Sequence, residues 1–418
     1  MVEQDKLGGM EVTSRERVRA TLNHQEPDKL AIDFGAHRSS GISAIAYNHL
    51  KEYLGYRPET TKLYDLMQQL AIPEPFILDR FGGDIVQVQR IAPAYGVKID
   101  RWKMGELPDG SPCQVPYDFN PVIDERGNYL IKDPKTGIAY GIRPPKSYYY
   151  DSARYYLKDV DTIEELDKVM ELPEVTDEEL DFLETQAIDL YYNTDKALQV
   201  HVGSAVFEQG QQDFGFENWY CYLLEEQELV HHWASKMTEA YLKCLDRILG
   251  RIGKYVDIVL FGGDDLGNQI QPQLSVPLYR EMIKPYHKEL YGFVRKNYPN
   301  VKVGLHSCGS IIDLLPDLID AGLQVLNPVQ ISAVGMDPVK LKKEFGKDLV
   351  FWGGGADMQQ FIAKTDSMDA IYEHVQRNIE IFAPGGGFIF NQCHNILADV
   401  PPEKVITIYQ AALDYRSK

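Results

Sequence analysis

Eight short apolar runs alternate with helical patterns along this chain, and that alternation restricts its fold more than any other feature. The runs are Lys29–Gly35, Asp84–Gln89, Ala197–Gly203, Asp257–Phe261, Val301–Leu305, Val325–Asn327, Leu349–Trp352 and Phe388–Asn391. Between and after the later ones, amphipathic spacing predicts helices over Glu217–Leu249, Pro277–Asn297, Ile311–Ala321, Pro338–Phe345 and Met368–Phe382. Strands separated by helices pair in parallel through crossovers. Eight of them predict an α/β chain closed into a (β/α)8 barrel of the TIM type. With insertions, such a barrel takes in all 418 residues as one domain, 1–418.

Ahead of the first run, Thr13 and Glu16 form a capping-box pattern, with Val12 placed as its staple, for a helix through about Leu22. Further helices are expected near Ser43–Leu54 and Thr61–Leu70. Residues 97–185 break the alternation. Val97–Pro145 is rich in Gly, Pro and Asp, with strand-like runs at Tyr129–Ile131 and Ile138–Ile142 around the turn Asp133–Gly137. It reads as inserted antiparallel hairpins. The tyrosines 148–150, 155 and 156 follow, then an acidic stretch, Asp159–Glu184, that reads as two exposed helices. Together these predict a β-hairpin and helical cap.

The formal net charge of -19 excludes nucleic acid, whose phosphates require a basic footprint, and disfavours anionic membrane surfaces. Five scattered cysteines suit reduced thiols better than a disulfide framework. MVEQDKLGGM has no apolar leader core, and no run of 18 apolar residues occurs. A cytoplasmic location is the expectation.

A parallel barrel collects its chemistry at the C-terminal strand ends. Those ends carry His37 and Arg38, His201 and Ser204, Asp264 and Asp265, His306 and Cys308, Asn327 and Gln330, Asp357 and Gln359, and Cys393 with His394. His306 and Cys308, two apart at a strand end, point to the same side. A third donor from Cys393-His394 would complete a three-ligand zinc site with an open position, as catalytic zinc requires. Asp264 and Asp265 are candidate acid–base groups. The glycine triplets 353–355 and 385–387 match no nucleotide fingerprint and read as tight connections.

From Thr13 onward the chain resembles the uroporphyrinogen decarboxylase superfamily. The most specific stretches are DIVLFGGDDLGNQ (257–269), VGLHSCGSIIDLLPDLIDAGLQVLNPVQ (303–330), FWGGGADMQQ (351–360) and HNILADVPPEKV (394–405). The resemblance implies a (β/α)8 barrel with its site at the C-terminal mouth. True decarboxylases carry an arginine-rich substrate loop of the type MRQAGRYLPEY, which is missing here; His37-Arg38 is the nearest basic pair. The chain is more similar to the zinc-dependent corrinoid methyltransferase branch, through its His-x-Cys…Cys signature. That likeness implies His306, Cys308 and Cys393 as zinc ligands. Counted back from Pro401-Pro402-Glu403, the third ligand falls on His394 as readily as on Cys393. Thiolate charge favours Cys393, and His394 is the alternative; Asp265 or a water would fill the remaining position.

The implied activity is transfer of a methyl group from a small methylated substrate, with a phenyl methyl ether among the candidates. The acceptor is cobalamin on a separate corrinoid protein docked at the mouth. His37, Arg38, His201, Asn327, Gln330 and Asp357 are the substrate-binding candidates, and Asp264 and Asp265 the catalytic ones. The alternatives are a metal-free decarboxylase and the reverse half-reaction, from methylcobalamin to a thiol or tetrahydrofolate. The resemblance also allows a homodimer.

Overall fold

Every one of the eight apolar runs forms a parallel strand: β1 (Ala31–Ile32), β2 (Ile85–Val88), β3 (Ala197–Gly203), β4 (Ile258–Phe261), β5 (Lys302–His306), β6 (Val325–Asn327), β7 (Val350–Trp352) and β8 (Phe388–Phe390). The computed structural model describes residues 12–133 and 135–417. The stretch MVEQDKLGGM and Pro134, inside the expected Asp133–Gly137 turn, lie outside them. Strands pair with their neighbours in sequence from β2 round to β8, and β8 pairs with β1. At the remaining seam, Asp84 closes the barrel: its main-chain N–H donates to the Ile32 carbonyl at 2.7 Å, and its carboxylate accepts the Ile32 N–H at 2.9 Å. The result is a (β/α)8 barrel of the TIM type.

Period-two alternation sorts the barrel interior into layers. Ala31, Ile85, Ala197, Ile258, Val325, Val350 and Ile389 form one apolar cluster, with Val18 and Leu22 of helix Ser14–Leu22 packed among them. Two residues further along the strands come Asp33, Gln199, Asn327 and Asn391, all fully buried. Trp352 Nε1 donates to Asp33 at 2.8 Å across this layer. Strand residues of the opposite parity, such as Val303, Leu305, Val259 and Phe261, pack outward against the helices.

The Thr13–Glu16 capping box forms. Val12 is exposed and makes no staple, because the fourth helical residue is Arg17, which donates to the Val12 carbonyl at 3.2 Å. Two expected helices divide. Glu217–Leu249 becomes Phe216–Glu225 and Gln227–Ile252, broken at Glu226, and Pro277–Asn297 becomes Val276–Met282 and Lys284–Asn297. Thr61–Leu70 is not a helix. It is a hairpin in which Leu63 faces Ala71 and Asp65 faces Leu70. Leu63, Leu66 and Leu70 have helical spacing. Turn chemistry overrides it, since Asp65 accepts the Gln68 N–H at 2.8 Å and Gln69 takes a left-handed φ of 55°.

Between β2 and β3, Trp102–Glu106 pairs antiparallel with Pro112–Pro116. A four-stranded antiparallel sheet follows, made by Val122–Ile123, Tyr129–Lys132, Ala139–Arg143 and Asp151–Ser152. The acidic stretch holds helices Ile163–Val169 and Asp177–Asn193, which bury Leu166, Leu180 and Leu183 together with Glu179, whose carboxylate pairs with Arg90. The tyrosines divide: Tyr150 is buried, whereas Tyr148 and Tyr155 are exposed.

Candidate metal centre

His306 ends β5, and Cys308 lies beyond it in a loop, so strand alternation does not set their proximity. The loop is pinned by neighbouring strand ends. Ser307 N–H donates to the Asn327 carbonyl at 2.7 Å, Cys308 N–H to Asp265 at 2.8 Å and Gly309 N–H to Gln330 Oε1 at 2.7 Å. These bonds bring Cys308 Sγ within 3.6 Å of His306 Nε2. From the loop after β8, His394 completes a group whose ligand atoms all lie within 4.8 Å of one another: His306, Cys308 and His394. His394 reaches it with a left-handed φ of 65°. That backbone turn removes the strand alternation on which a choice between residues 393 and 394 would rest.

Cys393 stands outside this group. It is buried, and its N–H donates to the Ala356 carbonyl at 2.8 Å. Burial pushes its thiol up, as it does that of Cys308, which Asp265 and Cys393 raise further.

The hydrogen bonds select which ring nitrogen of each histidine is free. Asn327 Nδ2 donates to the Trp352 carbonyl at 3.2 Å, which turns Oδ1 toward His306 Nδ1, also at 3.2 Å. Asn395 Nδ2 donates to Gln68 at 2.7 Å, which turns Oδ1 toward His394 Nδ1 at 3.1 Å. In both cases the amide oxygen holds a proton on Nδ1 and leaves Nε2 as a lone-pair donor. Metal-ligating histidines have this arrangement. Burial and the neighbouring His306 hold His394 down to about 4, so it is a neutral imidazole at pH 7.

The two adjacent aspartates differ in placement. Asp264 is buried and fully engaged: it accepts the Val206 and Glu208 N–H groups at 2.9 and 2.8 Å and His287 Nε2 at 2.7 Å. It pins the start of helix Phe207–Phe214. Asp265 faces the mouth, with an oxygen 3.5 Å from His306 Nε2.

Of the other strand-end candidates, His37, His201 and Asn327 stand beside this group. The His37 ring centroid is 5.9 Å from that of His306 and 5.1 Å from that of His201. Burial, with Arg38 and Arg90 nearby, lowers His201 to about 3. Arg38 is bonded to Asp65 and to the Pro93 carbonyl. Gln330 is committed to Gly309, Gln269 and Gln359, and Asp357 to the Gln359 and Gln360 N–H groups.

Glu208, five residues past the end of β3 at Gly203, lies beyond the strand-end candidates. A Cβ on Gly263 would sit 2.5 Å from its Oε2 and 3.4 Å from His306 Cδ2, so only glycine leaves room for this carboxyl beside His306. Burial, then Asp265 and Asp264, pushes it up to about 8. Extending the strand-end rule by one helical turn would have found it.

Two imidazole nitrogens and one thiol, each positioned by a hydrogen-bonded partner, are a zinc-type donor set with one position left over. Among known proteins, the family model Uroporphyrinogen decarboxylase (URO-D) matches residues 204–415. A curated uroporphyrinogen decarboxylase from Pelodictyon phaeoclathratiforme is 28% identical over 166 residues, 38% of this chain and 45% of that protein. The chain thus spans under half the length of that relative. Among solved structures, a methyltransferase from Methanosarcina mazei has a similar fold, with a TM-score of 0.58 and 14% identity over 97% of this chain and 99% of that one.

Proposed function

Because the chain belongs to the uroporphyrinogen decarboxylase (URO-D) family, we propose that it is a zinc-dependent methyltransferase of that family. In this reading it moves a methyl group from a small methylated substrate to the cobalamin of a separate corrinoid protein. The observation that carries the reading is the set His306 Nε2, Cys308 Sγ and His394 within 4.8 Å, both histidines backed by amide oxygens. The decarboxylase reading requires no such set.

The residues would divide the work as follows. His306, Cys308 and His394 hold the metal, with Cys393 behind them and Asp265 beside the open position. Bound zinc supplies Lewis acidity to the atom that loses the methyl group, a stabilisation of several kcal/mol. Asn327 and Asn395 keep the two imidazoles in the ligating tautomer. His37, Arg38, His201, Gln330 and Asp357 surround the substrate, and Asp264 holds the wall that carries Glu208.

A corrinoid protein would approach over the mouth. Exposed Ile270, Val334 and Leu397, in the loops after β4, β6 and β8, offer it apolar contacts. We read residues 97–185 as an insertion within one barrel domain. No described helix is long and apolar enough to cross a membrane, and all five cysteines are free thiols, which fits a reducing compartment such as the cytoplasm.

Metal analysis of the purified full chain tests the reading. Wild type is expected to hold one zinc that is lost in His306→Ala, Cys308→Ser and His394→Ala and kept in Cys393→Ser. Cob(I)alamin is expected to be methylated by a methylated substrate, and running the assay from methylcobalamin to a thiol or tetrahydrofolate gives the direction. A well-folded wild type that takes up no zinc overturns the proposal.

A further inference from the structure

His37 shares the barrel mouth with the candidate ligands but has the opposite tautomer. The Ser39 main-chain N–H donates to His37 Nδ1 at 3.1 Å, and the Ser39 hydroxyl lies 2.9 Å from the same nitrogen. That hydroxyl also donates to Asn327 Oδ1, the oxygen that faces His306. A main-chain N–H only donates, so His37 Nδ1 is the lone-pair nitrogen and the ring proton resides on Nε2. Metal-ligating histidines need the reverse: a proton on the outer nitrogen and a lone pair toward the metal. His37 is therefore a hydrogen-bond donor, not a fourth imidazole ligand.

Its Nε2 is buried and has no hydrogen-bond partner among the described residues. His37 itself is 2% exposed. A buried donor left unpaired is costly, and in native structures such groups are completed by a ligand, an ion or an ordered water. The ring neighbours those of both His201 and His306, which puts this donor beside the candidate metal centre.

We propose that the His37 Nε2–H is reserved for the substrate oxygen from which the methyl group departs, so that the site selects methyl–oxygen donors over thioethers and quaternary methylammonium compounds. This rests on the methyltransferase reading. In the step, the bond between the methyl carbon and oxygen breaks and its electron pair stays on oxygen. The methyl carbon forms its new bond with the electron pair of the corrinoid Co(I). His37 keeps its proton and donates a hydrogen bond that strengthens as charge develops on that oxygen. A thioether sulfur is a weak acceptor, and a quaternary nitrogen has no lone pair to offer.

The test uses the zinc-loaded full chain labelled with 15N at histidine. Imidazole 15N–1H correlation spectra of wild type and His37→Asn assign the residue and read its tautomer. The expected result is an Nε2–H with an unprotonated Nδ1. An Nδ1–H tautomer overturns the inference whatever the activity.

Turnover with cob(I)alamin is then compared for methyl ethers, methyl thioethers and quaternary methylammonium compounds. Only ethers are expected to react. Their kcat should fall about 10²-fold in His37→Asn, the usual cost of removing one donor from a developing oxyanion. His37→Gln, whose amide reaches toward the Nε2 position, should recover part of that loss. Ether turnover undiminished in His37→Asn, or turnover confined to another donor class, overturns this inference and leaves the methyltransferase reading standing. A zinc-loaded chain that turns over no methyl donor sinks both.

Discussion

At the barrel floor, where the strands begin, the buried carboxylates Asp84 and Asp257 are matched. Asp84 accepts from Arg17 and Arg416, each at 2.9 Å, and from the Ile32 N–H; Asp257 accepts from Arg19 at 2.6 Å and from the Leu198 N–H at 3.0 Å. At the mouth, several polar groups are held in place but left incomplete. His306, His394 and Cys308 are backed by amide or carboxylate oxygens yet point their lone pairs at one another, and His37 Nε2 has no partner. Both ends are polar and buried, so burial of polar groups does not by itself locate the chemistry. The floor uses its hydrogen bonds to close the β1–β2 seam, whereas the mouth leaves His37 Nε2 without a partner among the described residues.

The harshest way to break this contrast is Asp84→Ala. It takes from Arg17, whose side chain is 6% exposed, one of its two carboxylate partners, leaving Asp28, removes the carboxylate partner of Arg416 and opens the seam. The expected loss is about 3–5 kcal/mol in urea unfolding, with zinc still bound by the fraction that folds. A loss confined to zinc affinity would invert the assignment of the two ends. Cys308→Ser should do the converse. Measured metal-free, its unfolding free energy should stay within about 1 kcal/mol of wild type. Its zinc affinity should fall by more than the roughly 10- to 100-fold that loss of an outer-shell partner costs.

Asn327→Ala tests that outer shell directly. It removes the oxygen that sets the His306 tautomer, and competition with a chelator should show zinc held about 10- to 100-fold more weakly.

The smallest effect is a pH dependence of the metal-free chain. His201 is held at about 3 in the folded state against 6.5 unfolded, first by burial and then by Arg38 and Arg90. The unfolded chain therefore binds the proton more tightly. This contribution is fully present above pH 6.5 and is lost as pH falls from there toward about 3. Between pH 6 and pH 5 one such group changes stability by at most about 1.4 kcal/mol. The difference between wild type and His201→Gln over that interval isolates it, and equal slopes would mean that the imidazole is not held neutral.

Much of the fold was legible because it is written locally. Each barrel strand is a short apolar run, and each later helix has its own spacing, so all eight strands were found within two or three residues of their observed ends. Thr61–Leu70 departs from its helical leucine spacing because the hairpin depends on Asp65 and a left-handed Gln69. The site was legible as a list of strand ends but not as an arrangement. Glu208 lies about one helical turn beyond the end of β3. The contact between His306 and Cys308 was expected for the wrong reason, since it comes from a loop and not from strand alternation.

By itself, the sequence determined the alternation of strands and helices, the polar residues at the strand ends and the acidic balance, because these follow from neighbours in the chain. Which of Cys393 and His394 turns toward His306, which aspartate faces the mouth and which nitrogen of each histidine carries its proton were decided only by tertiary structure. Each of those outcomes rests on partners far away in sequence: Asp265 on Cys308, Gln68 on Asn395, Trp352 on Asn327. A tautomer or a loop turn is selected by the hydrogen bond that meets it, and that bond exists only once the barrel has closed.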